Sequence, residues 1–167
     1  MGTNKKLLNA IFKKLNERIL ELNHERKQDG ACPIKPCEVT LLGQMSLMAN
    51  ERSALILALA QTGDMDAHLQ IENAAKEELK KILTEHGLTY DEDSYLIWIP
   101  PCSSFSELFR FSHVVLKSID PESALVSKAI KAPKKNKQLI QDALASGEFR
   151  GLVDRILANG GSLENFL

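Results

Sequence analysis

An amphipathic segment near the start of the chain constrains the fold more than any other feature of the sequence. Between residues 4 and 26, apolar side chains recur at steps of three and four residues. These side chains are Leu8, Ile11, Phe12, Leu15, Ile19 and Leu22. The spacing predicts a long helix with one apolar face, and that face must be covered by another element. Short apolar segments follow it along the chain, so we expect the helix to pack on a β-sheet.

The rest of the chain predicts strands with interspersed helices and then a helical end. We expect strands at 38–42, 65–71 and 113–119, and a hairpin formed by 88–90 and 95–99. We expect helices at 46–60, 72–86, 122–131, 136–145 and 149–158. Gly87 is expected to end the second of these helices, and Asp120 with Pro121 to begin the third. Two segments stay ambiguous: 55–57 also suits a buried strand, and 105–111 suits either a helical turn or a strand.

This order of elements predicts an α+β fold with α/β character. The 167 residues suit one domain, 1–167, with an ordinary 44% of hydrophobic and 26% of charged residues. Within it we expect an N-terminal helical part at 1–30, a core at 38–119 and a helical part at 120–167. The core would be a small mixed β-sheet flanked by helices, and the last part a C-terminal helical cap.

The clearest candidate for a functional site in the sequence is the segment 62–66, which is Thr-Gly-Asp-Met-Asp. If this segment continues into a strand, the side chains of Asp64 and Asp66 point to the same face and can converge. Paired carboxylates suit Mg²⁺, which is usually held by one or two carboxylates together with substrate phosphates. Gly and Asp are also common in polar turns, so the pair alone does not establish a metal site.

Three motifs in order along the chain resemble a known family. Leu-Leu-Gly-Gln at 41–44 is similar to a strand that ends in Gly-Gly or Gly-Ser, and residues 62–66 match the pattern T-x-D-[ILM]-D. Asp-Pro-Glu-Ser-Ala-Leu-Val-Ser-Lys at 120–128 is similar to the helix start hxPExLhhxKh, where h is apolar. This order resembles the minimal nucleotidyltransferases, a superfamily that includes the AbiEii-type toxins. The resemblance covers about residues 38–156, although each motif is short.

The resemblance implies a Mg²⁺-dependent nucleotidyltransferase, with a core sheet of the nucleotidyltransferase type. A nucleotidyl group would pass from a nucleoside triphosphate to a hydroxyl on a protein, a tRNA or a small molecule. Asp64 and Asp66 would be the catalytic, metal-binding residues, and Gly43, Gln44 and Lys128 would contact the nucleotide. A homo-oligomer or an antitoxin-like partner is implied by the same analogy.

The sequence also departs from the family pattern. Gln44 stands where the family has a small residue, and no carboxylate lies on the expected strand 95–99 to serve as a third metal ligand. Asp91, Glu92 and Asp93 lie in the preceding turn and are poor substitutes. The alternative hypothesis is therefore a catalytically degenerate nucleotidyltransferase fold that acts as a binding or interaction module.

Several other residues have a structural interpretation beside the functional one. Lys128 could extend its ammonium group to solvent, and lysines 131, 134, 135 and 137 could form a solvated helix surface. Trp98 is expected in the core rather than on a base-stacking surface, and His68 as a partly buried imidazole. Cys32 and Cys37 invite a zinc interpretation, but no paired spacing supplies the further ligands.

Charge and hydropathy narrow the classes of partner. The net charge of −1 gives no long-range field to attract nucleic acid, so general nucleic-acid binding is not expected. No apolar run has the length of a membrane span, and the polar, basic start of the chain does not match a signal peptide. We therefore expect a cytoplasmic protein with no membrane association.

Overall fold

The computed structural model describes residues 2–167 and confirms an α+β fold. The α-helices of this part of the chain are α1 Thr3–Gln28, α2 Gly43–Ala49, α3 Glu51–Ile56, α4 Asn73–Glu85, α5 Pro121–Lys131, α6 Lys137–Ser146 and α7 Leu152–Ala158. The strands are β1 Cys37–Leu41, β2 Asp64–Met65, β3 Ala67–Gln70, β4 Thr89–Tyr90, β5 Phe105–Arg110 and β6 Val114–Ile119. Short 3₁₀ helices occur at Glu92–Leu96 and Leu163–Phe166. None of the helices within residues 2–167 combines the length and the apolar character needed to cross a membrane.

The larger sheet is mixed and has the strand order β3-β1-β6-β5. Strand β1 is antiparallel to β3 and parallel to β6, while β5 runs antiparallel to β6. The apolar face of α1 is buried in the same cluster as the sheet, with Ile11 and Phe12 beside Val39 and Leu41. The expected packing of the first helix on a sheet is therefore confirmed. Segment 105–111, which the sequence left ambiguous, contains strand β5.

A second, two-stranded sheet pairs β2 with β4 in parallel. The expected continuous strand at 65–71 is wrong, because it is interrupted at Asp66 and its halves belong to different sheets. The expected hairpin at 88–99 is also wrong. Asp91 turns the chain into a 3₁₀ helix by accepting a hydrogen bond from the amide of Asp93 at 2.9 Å, and β4 pairs with β2 instead.

The expected helix at 46–60 is divided into two short helices. Asn50 ends α2 and caps α3, because its side-chain oxygen accepts a hydrogen bond from the amide of Ser53 at 2.9 Å. Asn favours such N-cap positions over helix interiors. Helix α3 ends at Ile56, so the alternative of a strand at 55–57 is wrong as well. Leu57 is buried beside the C-terminal helices.

Helices α5, α6 and α7 form a second core cluster, in which Leu125, Ile140 and Ile156 are buried. Their positions agree with the sequence pattern within a few residues. Asp120 is the N-cap of α5, where its side chain accepts from the amide of Ser123 at 2.9 Å, and proline occupies the first turn. Helix α5 follows β6 directly, and β6 is parallel to β1. Residues of α5 therefore lie near the end of β1, where both border the candidate site.

Candidate functional site

Asp66 occupies the point at which the chain leaves the small sheet and enters the large one. Its carbonyl oxygen accepts a hydrogen bond from the amide of Leu42 at 2.9 Å, at the end of β1. The next amide, that of Ala67, donates to the hydroxyl of Ser94 at 3.1 Å. Both bonds are made by the peptide group that joins Asp66 to Ala67, so they fix the backbone directly after Asp66, whose side chain is half-buried.

The register of the small sheet brings Asp91 against Asp66. Asp64 pairs with Thr89 and Met65 with Tyr90 in a parallel ladder, and the amide of Asp91 donates to the carbonyl of Met65 at 3.1 Å. Because paired residues of parallel strands advance together, the two aspartates follow at the same end of the ladder. Their carboxyl groups are close enough to interact, through a hydrogen bond when one of them is protonated and through their charges.

This contact changes the ionisation of Asp66. Burial, the hydrogen bond to Asp91 and the negative charge of Asp91 raise the pKa of Asp66 from 3.8 to about 6. The positive charge of Lys128 acts in the opposite direction, and Asp64 adds a smaller upward effect. Two carboxylates in contact repel each other unless a proton or a cation lies between them. A proton on Asp66 relieves this repulsion, which agrees with its raised pKa.

The Asp66 side chain packs closely against the backbone of Gly43. Its backbone has a φ of +54°, a conformation that glycine adopts without strain. A Cβ atom at this position would lie 2.5 Å from Oδ2 of Asp66. Any other residue would therefore push the Asp66 carboxylate away from the end of β1, so the glycine is required for the close approach.

Lys128 faces the carboxylate pair from α5. It is half-buried and borders the same cavities as Asp66 and Asp91. Burial lowers the pKa of Lys128, the charge of Asp66 raises it, and the nearby Lys135 lowers it further. The side chain thus lies within electrostatic reach of Asp66 and of a second cation, as an anion-binding lysine would.

Two cavities meet at this group of charges. The first has a volume of about 640 Å³ and the second about 400 Å³. Their shared wall is formed by Asp66, Asp91, Lys128, Lys135 and Asn136. Small-molecule sites in proteins commonly have volumes of about 300–1,000 Å³. The charged group therefore lies where a ligand could occupy both cavities.

The other residues singled out from the sequence lie around this wall. Asp64 is exposed and borders the second cavity. Gln44 borders it as well, and its side-chain amide donates to the carbonyl of Ala60 at 2.9 Å. The Gln44 side chain is thereby directed to the 57–63 segment, which leaves the Gly43 backbone facing the first cavity.

The role of Asp91 was not predicted from the sequence. The segments 88–90 and 95–99 resemble two paired strands, so the sequence predicts that Asp91 lies in a hairpin turn. A better signal was the order Thr89-Tyr90-Asp91, a β-prone pair followed directly by an acid. That order repeats the pattern at Met65 and Asp66, where an acid also follows a strand.

The donor atoms at the carboxylate pair suit a magnesium ion that binds with its substrate. Asp66 and Asp91 supply oxygen ligands only, which Mg²⁺ accepts when phosphates and water complete its shell. Within residues 2–167, no group of three or more His, Cys, Asp and Glu side chains is arranged as a metal site.

Cys37 is poorly suited to act as a nucleophile or as a metal ligand. Cys37 is buried, and burial together with the charge of Glu72 raises the pKa of its thiol to about 11. Cys32 and Cys102 are exposed and form no disulfide. A thiol that stays protonated at neutral pH is a poor nucleophile and a poor metal ligand.

Comparisons with known proteins returned no match to a family model, to a curated protein or to a solved structure.

Proposed function

We propose that this protein is a Mg²⁺-dependent nucleotidyltransferase that uses a nucleoside triphosphate as its donor substrate. The observation that carries the proposal is the contact between the carboxyl groups of Asp66 and Asp91, with Lys128 facing them across two adjoining cavities. Carboxylates and a lysine around one point provide ligands for a metal ion and a counter-charge for phosphate.

Each residue of the site has a role in this proposal. Asp66 and Asp91 would hold Mg²⁺, with Asp64 at the rim of the second cavity as the remaining acid. The metal ion would offset the charge that develops on the phosphates during transfer. Lys128 and Lys135 would bind the phosphates, and the Gly43 backbone would let them approach the end of β1. Gln44 would contribute to the wall of the second cavity rather than to phosphate binding.

The reaction would be an in-line substitution at the α-phosphorus atom. An oxygen of the acceptor hydroxyl forms a bond to this phosphorus, and the bond to the bridging oxygen between the α- and β-phosphates breaks. The electron pair of that bond leaves with pyrophosphate, and the hydroxyl proton passes to an exposed carboxylate such as Asp64 or to solvent. The acceptor would enter through the second cavity, which the exposed Asp64 borders.

The test is calorimetric titration with ATP, GTP, CTP and UTP, with and without Mg²⁺. We expect at least one nucleotide to bind only with Mg²⁺, and Asp66→Asn or Asp91→Asn to weaken that binding by about 100-fold, as loss of a metal-ligand carboxylate should. Asp154→Asn is the matched control, because Asp154 is exposed on α7 and does not border either cavity. Absence of Mg²⁺-dependent binding for all four nucleotides would contradict the proposal.

A degenerate binding module is the second candidate. It is favoured by the position of Asp64, which is exposed, and by Gln44 in place of a small residue. Under this hypothesis nucleotides bind, yet no nucleotidyl group is transferred to protein, tRNA or small-molecule acceptors. A radiolabelled α-phosphate that never becomes attached to an acceptor, despite measurable binding, would favour it. An antitoxin-like partner and a homo-oligomer stay predictions from the family resemblance.

A further inference from the structure

The two cavities differ in chemistry beyond the wall they share. The second is bordered by polar side chains, including Gln44, Thr62 and Asp64. The first continues between apolar side chains, among them Ile97 and Trp98. A nucleotide has one highly charged end and one flat, weakly polar end, and the first cavity offers a charged wall for the former and an aromatic surface for the latter.

Trp98 is held firmly in the wall of the first cavity. The hydroxyl of Ser127, on α5, donates to the carbonyl oxygen of Trp98 at 2.7 Å. The preceding amide, that of Ile97, donates to the carbonyl of Ser94 at 3.1 Å, which fixes the exit from the 3₁₀ helix. The indole ring is half-buried, and the ammonium group of Lys131 lies 5.3 Å from its centroid.

These contacts place Trp98 on the same helix-bounded wall as the proposed phosphate ligands. Ser127, which orients Trp98, is the neighbour of Lys128, which faces Asp66. Lys131 lies one helical turn further along α5 and borders the first cavity together with Lys128. The aromatic surface and the cationic surface are therefore parts of one continuous wall.

We propose that the first cavity contains a nucleobase subsite in which the base of the donor nucleotide stacks on Trp98. This inference rests on the proposed function, because the metal-bound phosphates at Asp66 and Asp91 fix the other end of the nucleotide. Stacking on an aromatic side chain stabilises any base through its π-face and depends little on base identity. Trp98 thus has a ligand-binding role in addition to its contacts with the second core cluster.

This arrangement also predicts which substrate the second cavity binds. With the base in the first cavity and the phosphates at the shared wall, the second cavity is left for the acceptor. Its polar side chains and its volume of about 400 Å³ suit a small, hydroxyl-bearing molecule or a single exposed side chain.

The chain contains one tryptophan, so intrinsic fluorescence reports on this position alone. We expect Mg²⁺–ATP to quench the fluorescence of Trp98, and Mg²⁺–tripolyphosphate, which lacks a base, to bind without quenching. Trp98→Leu should weaken Mg²⁺–ATP binding about tenfold in calorimetry and leave tripolyphosphate binding unchanged. Trp98→Phe should retain most of the ATP affinity. Tyr95→Leu is the control, because Tyr95 is exposed in the same segment but does not border this cavity.

The outcomes separate this inference from the proposed function. If ATP and tripolyphosphate both bind with Mg²⁺, but fluorescence is unchanged and Trp98→Leu has no effect, the nucleobase subsite is wrong and the function stands. An equal loss of both ligands in Trp98→Leu also contradicts the subsite. If neither ligand binds with Mg²⁺, the proposed function itself fails. Should Trp98→Leu not fold, the different responses of the wild-type fluorescence to Mg²⁺–ATP and to Mg²⁺–tripolyphosphate decide between these results.

Discussion

Two groups of carboxylates in this protein have pKa values that are shifted in opposite directions. At the start of α5, Asp120 accepts hydrogen bonds from the Ser123 hydroxyl at 2.6 Å and from the Ser104 amide at 2.8 Å. Nearby, the guanidinium group of Arg155 donates to Glu122 at 3.2 Å. Although burial alone would raise it, the pKa of Asp120 is lowered by these hydrogen bonds and by Arg155.

The pair at the candidate site has weaker compensation, in which Asp91 accepts a hydrogen bond from the amide of Asp93 at 2.9 Å. Asp66 and Asp91 contact each other, and the main opposing charge is the partly buried Lys128. The pKa of Asp66 is accordingly raised rather than lowered. Strongly perturbed pKa values are concentrated at functional sites. This difference is the reason why we place the proposed function at Asp66 and Asp91 and not at Asp120.

The comparison is tested most strongly by replacing one aspartate of each group with asparagine. At neutral pH, Asp66→Asn should increase the free energy of unfolding by about 2 kcal/mol, because the raised pKa marks a carboxylate that is unfavourable in the folded protein, and solvent screening of this partly exposed group reduces the full effect. The raised pKa of about 6 means that Asp66 favours folding below pH 3.8 and that this contribution is lost as the pH rises through 6. The increase in the free energy of unfolding caused by Asp66→Asn should therefore be small in acid and should grow toward neutral pH.

Asp120→Asn is the matched control and should have the opposite sign. Asparagine keeps the N-cap but loses the charge, so we expect a loss of about 1 kcal/mol at neutral pH. A lowered pKa gives stability that is present above the unfolded value and is lost in acid, so this loss should disappear at low pH. Chemical denaturation across a pH series measures both changes. Two variants that shift stability in the same direction would remove the distinction between the groups.

A smaller effect is expected from the glycine that lets Asp66 approach the end of β1. Gly43→Ala should reduce stability by about 1–2 kcal/mol, since an alanine at positive φ is strained. It should also weaken Mg²⁺–nucleotide binding, because the new Cβ would displace the Asp66 carboxylate. Gly63→Ala is the control, as Gly63 has open space around it and no positive φ. Thermal melts with and without the nucleotide check both effects, and equal behaviour of the two variants would refute the role of Gly43.

The sequence predicted the large elements well, because their signals are repeated many times. The apolar positions of α1 recur over about four turns, and they specified its packing on the sheet. Asp120 and Pro121 likewise predicted the start of α5 from local chemistry alone. Such features depend on residues close in sequence, and the fold class follows from them.

The site was predicted less completely, because it depends on pairing between distant residues. Asp66 was identified from its motif, but its partner Asp91 is specified only by the parallel pairing of β2 with β4, each two residues long. Strands of this length give no periodic signal. The sequence also could not show that Gln44 bonds to Ala60 or that Trp98 borders a cavity, since both facts depend on the path of neighbouring loops.

The central claim is that Asp66 and Asp91 exchange a shared proton for the metal ion of a nucleotide. The most direct measurement is the number of protons released when Mg²⁺–nucleotide binds, obtained by calorimetry in buffers of different ionisation enthalpy. After subtraction of protons released by Mg²⁺ and nucleotide alone, we expect close to one proton per complex below pH 6, where Asp66 is protonated, and almost none well above it. Affinity should rise over the same pH range, and Asp66→Asn should abolish the release. Tight binding below pH 6 with no proton release, or an unchanged release in Asp66→Asn, would contradict the account.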